Sequence, residues 1–287
     1  MSHVQRQLGD TAAASQYAQQ ALRACQRAGD GPRTARSFLA IAIFHRMRGA
    51  IAEALGNYER ARAIFLDLGD QAGVARCLLG LGHLHRAQRN FRRSEETYTE
   101  AMATFRDLGI RNELAQCYNG LAEVARYRGD YELARQHYLE ALEIQTSIGV
   151  KSLVLTRINL AMTSILQEEF DSAREVLEAL EKQVRAQGQF AFLIFIYAAL
   201  LPCLAQHGDR IGWQHYLHLL QESLRTSHQV DADLATFAAL AGELQVAAGR
   251  IDEAVVALDI AARQWESLED WPASDRLRLR ISEVSRR

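Results

Sequence analysis

The side chains best placed to do chemistry in this sequence are two histidines, His215 and His218, which stand three residues apart. That spacing puts both on one face of a helix, where they could bind a metal ion or transfer a proton. No third ligand lies near them in the sequence, and such isolated pairs are usually packing or surface residues. The chain also lacks a Gly-rich phosphate loop, a His-Glu-x-x-His zinc motif and a Gly-x-Ser-x-Gly nucleophile motif. We therefore expect no enzymatic activity, no metal and no cofactor.

The cysteines are the other candidate metal or redox ligands, and none of them belongs to a Cys-x-x-Cys pair. Cys77 and Cys117 stand 40 residues apart and are predicted to be small buried residues in a reducing compartment. The first ten residues lack the apolar core of a signal peptide. These observations predict a cytoplasmic protein with four unpaired cysteines: Cys25, Cys77, Cys117 and Cys203.

Composition and charge limit the classes of partner. The 33 basic and 35 acidic residues leave a formal net charge of -2, which gives no global reason to expect nucleic acid or an anionic membrane as a partner. The most apolar stretch, 190–205, is too short for a confident membrane span and contains Pro202. We expect it to be a buried helix of a protein that binds neither nucleic acid nor membrane.

Arginine is the remaining group with binding chemistry, because Lys151 and Lys182 are the only lysines and all other basic residues are Arg. The guanidinium is a planar, permanently charged fork that suits carboxylates. What these arginines can bind depends on the elements that hold them. Only three prolines, with abundant Ala, Leu, Arg, Glu and Gln, favour an all-helical chain.

Two series of turn residues repeat along the chain with a period of about 40. One series, which we place after the second helix of each repeat, is Gly29, Gly69, Gly109, Gly149 and Gly188. The other, placed after the first helix, is Gly9, Gly49, Arg89, Gly129, Glu168, Gly208 and Gly249. Glycine near a helix C-terminus supplies a left-handed cap, so each period is predicted to be two antiparallel helices joined by short turns.

The repeat has a recognisable signature. The run Gly129-Asp130-Tyr131-Glu132-Leu133-Ala134, followed by Tyr138 and Ala141, resembles the tetratricopeptide repeat. Two further repeats match it, with Ala54, Tyr58 and Ala61 and with Ser94, Tyr98 and Ala101. The 40-residue period and the Leu68-Gly69-Asp70 run are similar to the arrays of spindle-orientation adaptors and bacterial signalling proteins. This resemblance implies an all-α, right-handed α-solenoid of about seven antiparallel helical hairpins.

We expect a single array over 1–287. Its predicted repeats are 1–30 (partial), 35–70, 75–110, 115–150, 154–189, 194–228 and 235–270, with a capping helix at 273–287. The repeat 194–228 is degenerate, because Trp213 replaces a small residue and Pro202 should remove a hydrogen bond from its first helix and kink it. An end without a complete repeat suggests part of a larger protein.

The inner surface of such an array is lined by the first helices. Spacing of three and four residues selects one face of each helix and predicts a groove that changes character along the chain. The first part is polar and basic, with Arg36, Arg46, Arg76, His83, Arg86, Asn119, Glu123 and Arg126. The next part is apolar, with Leu155, Ile158, Met162, Ile165 and Phe195.

Resemblance to the adaptors implies that Arg46, Arg86, Arg126 and Asn119 hold the carbonyls and carboxylates of an extended peptide. We expect a non-enzymatic scaffold that binds an acidic, or mixed acidic and apolar, protein segment. Two alternatives remain open: the arginines could be copies inherited by duplication, and the apolar part could be covered from within or could mediate homo-oligomerisation. In a different class of function, the array could be the regulatory or sensory part of a larger bacterial kinase, nucleotide switch or transcription regulator.

Overall fold

The computed structural model describes residues 19–150, 153–227 and 229–286. Every regular element within these ranges is helical, which confirms the predicted all-α repeat architecture. Most of the predicted partial repeat 1–30, including its turn at Gly9, lies outside the described residues. Residues 19–27 are helical and precede the following elements. These are α1 (Gly31–Met47), α2 (Ile51–Asp67), α3 (Gln71–Ala87), α4 (Phe91–Asp107), α5 (Arg111–Arg128), α6 (Tyr131–Ser147), α7 (Val154–Leu166), α8 (Phe170–Ala186), a 3-10 turn (Phe190–Phe192), α9 (Leu193–His207), α10 (Arg210–Ser227), α11 (Ala232–Ala247), α12 (Ile251–Ser267) and α13 (Trp271–Val284).

The helices up to α9, and α11, end where the two periodic series predict, whereas neither series marks the ends of α10, α12 and α13. All of the described glycines of both series have a positive φ between 67° and 85°, as a left-handed cap requires. Arg89 and Glu168, which replace glycine in the second series, adopt the same conformation with φ values of 58° and 64°. The turn geometry is therefore set by the repeat even where the side chain disfavours it.

Several helices begin at a side-chain cap. The carboxylates of Asp30, Asp70, Asp130 and Asp270 and the amide of Asn90 each accept a hydrogen bond from the backbone N–H three residues later. Such a cap satisfies one of the N–H groups that the first turn leaves free. At these five positions a short polar residue after the left-handed turn thus starts the next helix in a fixed register.

Tyrosines and glycines bring neighbouring hairpins close together. Tyr58, Tyr98 and Tyr138 are almost completely buried, which confirms that these repeated tyrosines are core residues. The ring of Tyr98 lies against Gly82 on one helix and Gly120 on another, where an added Cβ would approach ring carbons to 2.5 Å. The absence of a side chain at these glycines allows the first helices to pack on the tyrosine ring.

The chain forms two compact units, 1–153 and 154–287. In the described part of unit 1, α1 pairs with α2, α3 with α4 and α5 with α6. Each hairpin packs on the next through its second helix, and the first helices α1, α3 and α5 contact one another in sequence. Unit 1 is therefore a regular stack of hairpins.

Unit 2 is packed around α9. This helix contacts α7, α8, α10 and α11, and twelve of the thirteen residues from Leu193 to Ala205 are buried, the exception being Phe195. The structure thus confirms that the apolar stretch 190–205 contains a buried helix. The helix continues through Pro202, and the boundary between the two units lies before Val154, well upstream of this proline.

Candidate functional site

The first helices of unit 1 carry the polar residues that the sequence singled out. They occur at matching positions of α1, α3 and α5, so that Arg46, Arg86 and Arg126 each precede the left-handed turn residue by three. We call the following set the polar face of unit 1: Arg36, Arg46, Arg76, His83, Arg86, Asn119, Glu123 and Arg126.

Two arginines of the polar face lie on α1. Arg36 is exposed and Arg46 is half-buried. The guanidinium of Arg46 donates a hydrogen bond to the hydroxyl of Tyr58 on α2. Burial raises the pKa of Tyr58, with Arg46 acting in the opposite direction, so the phenol stays protonated at neutral pH. Neither arginine forms an ion pair with a described residue.

The arginines of α3 have acidic partners on α5. Nε of Arg76 lies 3.0 Å from Oε1 of Glu113, and Nε of Arg86 lies 2.9 Å from Oε2 of Glu123. Burial acts to lower the pKa of Arg86, but the adjacent Glu123 carboxylate and the Tyr98 hydroxyl outweigh it, so the pKa lies above its ordinary value.

His83 is a neutral member of the polar face. Burial, together with the positive charges of Arg46 and Arg86, lowers its pKa to about 3. Nδ1 of His83 lies 2.8 Å from the Tyr98 hydroxyl, which itself accepts a hydrogen bond from Arg86. Because the ring is uncharged, Nδ1 can accept a hydrogen bond from the Tyr98 hydroxyl, and Nε2 then carries the ring N–H.

The α5 residues of the polar face are more enclosed. Oδ1 of Asn119 is buried and accepts no hydrogen bond from the described residues. Arg126 is only 4% exposed, and its guanidinium lies 5.1 Å from the ring centre of Tyr127. The side chain of Arg126 is therefore largely shielded from solvent, and its direct contact with a ligand stays a prediction.

The apolar part of the predicted groove is largely buried. Ile158, Met162 and Ile165 are at most 1% exposed and belong to one buried cluster with residues of α8 and α9. Phe195 is half-buried against the same cluster, and Leu155 alone is exposed, at 51%. Their positions match those of the polar face, but the apolar helix α9 packs against α7 and covers them.

Other candidate chemistry is dispersed. Burial raises the pKa of Cys77 and Cys117 to about 12, which confirms that these thiols are buried structural residues. His215 and His218 are exposed, and no group of three or more potential metal ligands occurs among the described residues. One segment, Phe190–His207, has the length and apolar composition of a membrane span, and 67% of it is buried inside the protein.

Two features of this site were not predicted from the sequence. Glu113 was not selected, although it lies ten residues before Glu123 on α5, as Arg76 lies ten before Arg86 on α3, and so could have been found by helical spacing. Nor was it predicted that an arginine three residues before a turn bonds a tyrosine twelve residues later. This tie occurs as Arg46 with Tyr58, Arg86 with Tyr98, Arg106 with Tyr118 and Arg185 with Tyr197.

Stacked helical hairpins with a polar face on their first helices define a helical repeat scaffold. The family model described as tetratricopeptide repeat matches residues 1–67, 33–107 and 110–183, which together make up more than half of the chain. The chain therefore belongs to the tetratricopeptide repeat family. No match was found among curated proteins.

Solved structures share this architecture at low sequence identity. The apo form of RapI is 14% identical with a TM-score of 0.64, over 87% of this chain and 84% of RapI. The Rap conjugation gene regulator of the plasmid pLS20, in complex with the Phr* peptide, is 13% identical with a TM-score of 0.61, over 91% of this chain and 78% of its own. A signal transduction ATPase with a tetratricopeptide repeat sensor from Pyrococcus horikoshii is 11% identical with a TM-score of 0.60, over 86% of this chain and 39% of its own. At these identities the similarity shows the fold alone.

Proposed function

We propose that the protein is a non-enzymatic scaffold that binds an extended, acidic peptide segment on the polar face of unit 1. The observation that carries this proposal is the register of four arginines on two contacting first helices: Arg36 and Arg46 on α1, and Arg76 and Arg86 on α3. Guanidinium groups in rows across adjacent helices are suited to the carboxylates of one extended chain.

The spacing of the helices fits an extended ligand. Packed helices lie roughly 8–10 Å apart, and an extended chain advances about 3.3 Å per residue. Successive rows of the polar face would therefore meet about every third residue of the ligand. Asn119 on α5 is half-buried, and the amide of an Asn side chain can accept a hydrogen bond from a backbone N–H and donate one to a backbone carbonyl.

Known proteins of similar fold support a peptide ligand. The Rap regulator of plasmid pLS20 has a similar fold, and its structure was solved in complex with the Phr* peptide. The apolar anchor expected from the sequence is excluded from our proposal, since Ile158, Met162 and Ile165 are buried. The ligand is thus expected to bind through its charges and backbone.

Selection from a displayed library of random twelve-residue peptides tests the proposal. We expect the wild-type protein to enrich sequences rich in Asp and Glu. The double variant Arg36→Gln/Arg46→Gln should bind the enriched peptides at least tenfold more weakly and with a smaller dependence on salt.

The matched control is Arg92→Gln/Arg93→Gln, which removes the same charge from exposed positions of the second helix α4. It should retain wild-type affinity. Loss of binding in both double variants would indicate nonspecific attraction, and full affinity in Arg36→Gln/Arg46→Gln would show that the peptide binds elsewhere. Circular dichroism of each variant checks that the helices remain folded.

A second candidate function is that of a sensor array within a larger signalling protein. It is favoured by the similarity to the tetratricopeptide repeat sensor of the Pyrococcus horikoshii ATPase, of which the matched region is 39%. In that case the polar face would bind a ligand, and binding would regulate the activity of another domain. Sequencing the reading frame around the gene tests this, because the candidate requires a catalytic or DNA-binding domain in the same polypeptide.

A further inference from the structure

The positive charges of the polar face are not distributed evenly. On α3, each arginine is matched by a carboxylate of α5, with Arg76 beside Glu113 and Arg86 beside Glu123. Both carboxylates retain some solvent contact, because the side chains of Glu113 and Glu123 are 21% and 18% exposed. They therefore neutralise α3 and still face anything that binds there.

The arginines of α1 have no such partner. Arg36 is exposed, and Arg46 hydrogen-bonds the uncharged Tyr58; neither forms an ion pair with a described residue. His83, which lies near Arg46 and Arg86, is neutral at physiological pH and adds no charge. Of the four arginines on α1 and α3, those without a carboxylate partner among the described residues are thus the two on α1.

This uneven pairing of the arginines changes the binding free energy that a ligand gains from each of its carboxylates. A carboxylate near α1 meets Arg36 and Arg46 without competition. A carboxylate near α5 must compete with Glu113 or Glu123 for a guanidinium that is already paired, and it is repelled by both. An uncharged backbone does not meet this repulsion.

We propose that Glu113 and Glu123 confine the acidic residues of a bound peptide to the end that contacts α1, while an uncharged segment lies over α5. Glu113 and Glu123 are then specificity-determining residues, which reject carboxylates at one end of the site. This inference rests on the proposed peptide-binding function.

Peptides of identical composition, with their glutamates either grouped or alternating, test it. One ten-residue probe carries four glutamates grouped at one end, and its isomer carries the same four glutamates alternating with serine and alanine along its length. The grouped probe is made with its glutamates at either terminus, so that the direction of the bound backbone does not affect the result. Fluorescence anisotropy at low salt gives the dissociation constant of each probe for the full chain.

We expect the wild-type protein to bind the better grouped probe at least threefold more tightly than the alternating isomer. In Glu113→Gln/Glu123→Gln this preference should disappear or reverse, because glutamine keeps the shape and the acceptor oxygen but not the charge. The control Glu100→Gln/Glu143→Gln removes two charges from exposed positions of the second helices α4 and α6, and it should keep the wild-type preference.

Equal affinity of wild-type protein for both isomers overturns the inference, as does an unchanged preference in Glu113→Gln/Glu123→Gln. If both isomers bind with equal affinity, the specificity role of Glu113 and Glu123 fails but the proposed peptide-binding function stands. If neither acidic probe binds better than a neutral peptide of the same length, the proposed function itself fails. A photo-crosslinker beside the grouped glutamates should label α1, and labelling of α5 in its place contradicts the assigned orientation.

Discussion

Units 1 and 2 have different types of side chain, polar in unit 1 and apolar in unit 2, at the same position of their repeats. Glu123 on α5 and Met162 on α7 each precede the left-handed turn residue of their helix by six. The Glu123 side chain is 18% exposed and pairs with Arg86, whereas Met162 is completely buried. Repeat register therefore fixes where a side chain points, and the helices that pack nearby decide whether it reaches solvent.

The difference between the units originates in α9. This helix is apolar on nearly all sides and contacts α7, α8, α10 and α11, so it occupies the centre of unit 2. A helix that is hydrophobic all round must be buried. In unit 1 the first helices carry polar residues on one face, and no helix of comparable apolarity is present among the described residues to cover them.

Exchanging the two residues should have very unequal effects. Met162→Glu places a carboxylate in the core of unit 2 and is expected to lower its free energy of unfolding by about 3 kcal/mol or more. The reciprocal Glu123→Met should cost about 1–2 kcal/mol, because it leaves Arg86 without its carboxylate at a partly solvated position. Urea denaturation measures both changes.

The tryptophans make this measurement specific to one unit. Trp213, Trp265 and Trp271 are the only tryptophans, and all three lie in unit 2. Fluorescence therefore follows unit 2, while circular dichroism follows both units. A volume-conserving Met162→Leu is the control and should cost less than about 1.5 kcal/mol. If Met162→Glu were as stable as this control, the buried assignment of the apolar row would be wrong.

Much of the fold could be predicted because turns and helix caps act locally. The 40-residue series identified left-handed positions even at Arg89 and Glu168, where no glycine marks them. The site was harder to predict because it depends on contacts between distant residues. Helical spacing predicted that Ile158 lines the inner face, but its burial depends on residues of α8 and α9 that lie far away in the sequence.

The arginine rows illustrate the same distinction. Their period of 40 was equally compatible with ligand binding and with inheritance by duplication. The bonds from Arg46 to Tyr58 and from Arg86 to Tyr98 give these residues a role in joining the helices of a hairpin. Such a role is sufficient to explain an arginine at this position whether or not a peptide binds. The test with Arg36→Gln/Arg46→Gln therefore measures peptide affinity, and circular dichroism checks that the helices remain folded.

Acid should destabilise unit 1 through a residue that unit 2 lacks. The pKa of His83 is about 3 in the folded protein and near the ordinary 6.5 in the unfolded chain, so the unfolded state takes up the proton first. Its contribution to stability is present above about pH 6.5 and is lost as the pH falls towards 3. Met162, at the equivalent position, does not titrate.

Unfolding in urea at pH 7 and pH 5 checks this, since most carboxylates remain ionised over that interval. Burial also lowers the pKa of His85 and His137 in unit 1, so wild-type protein must be compared with His83→Gln. We expect His83→Gln to reduce the loss of stability on acidification by on the order of 1 kcal/mol. An identical loss in both proteins would show that His83 is protonated in the folded state.

The smallest expected effect concerns the turn residues that both units hold in the left-handed conformation without glycine. Glu168 has a φ of 64° at a position where neighbouring repeats have glycine, and a side chain raises the energy of that conformation by about 1–2 kcal/mol. Glu168→Gly should therefore stabilise unit 2 by about 0.5–1 kcal/mol, part of the gain being offset by the greater freedom of glycine in the unfolded chain. Tryptophan fluorescence during urea unfolding gives the change in the free energy of unfolding, and Glu168→Ala, which retains a Cβ, should show no gain.

Arg89 has the same geometry in unit 1, so Arg89→Gly should give a similar increase in the free energy of unfolding, measured by circular dichroism. A gain confined to one unit would mean that the two turns differ in more than backbone strain.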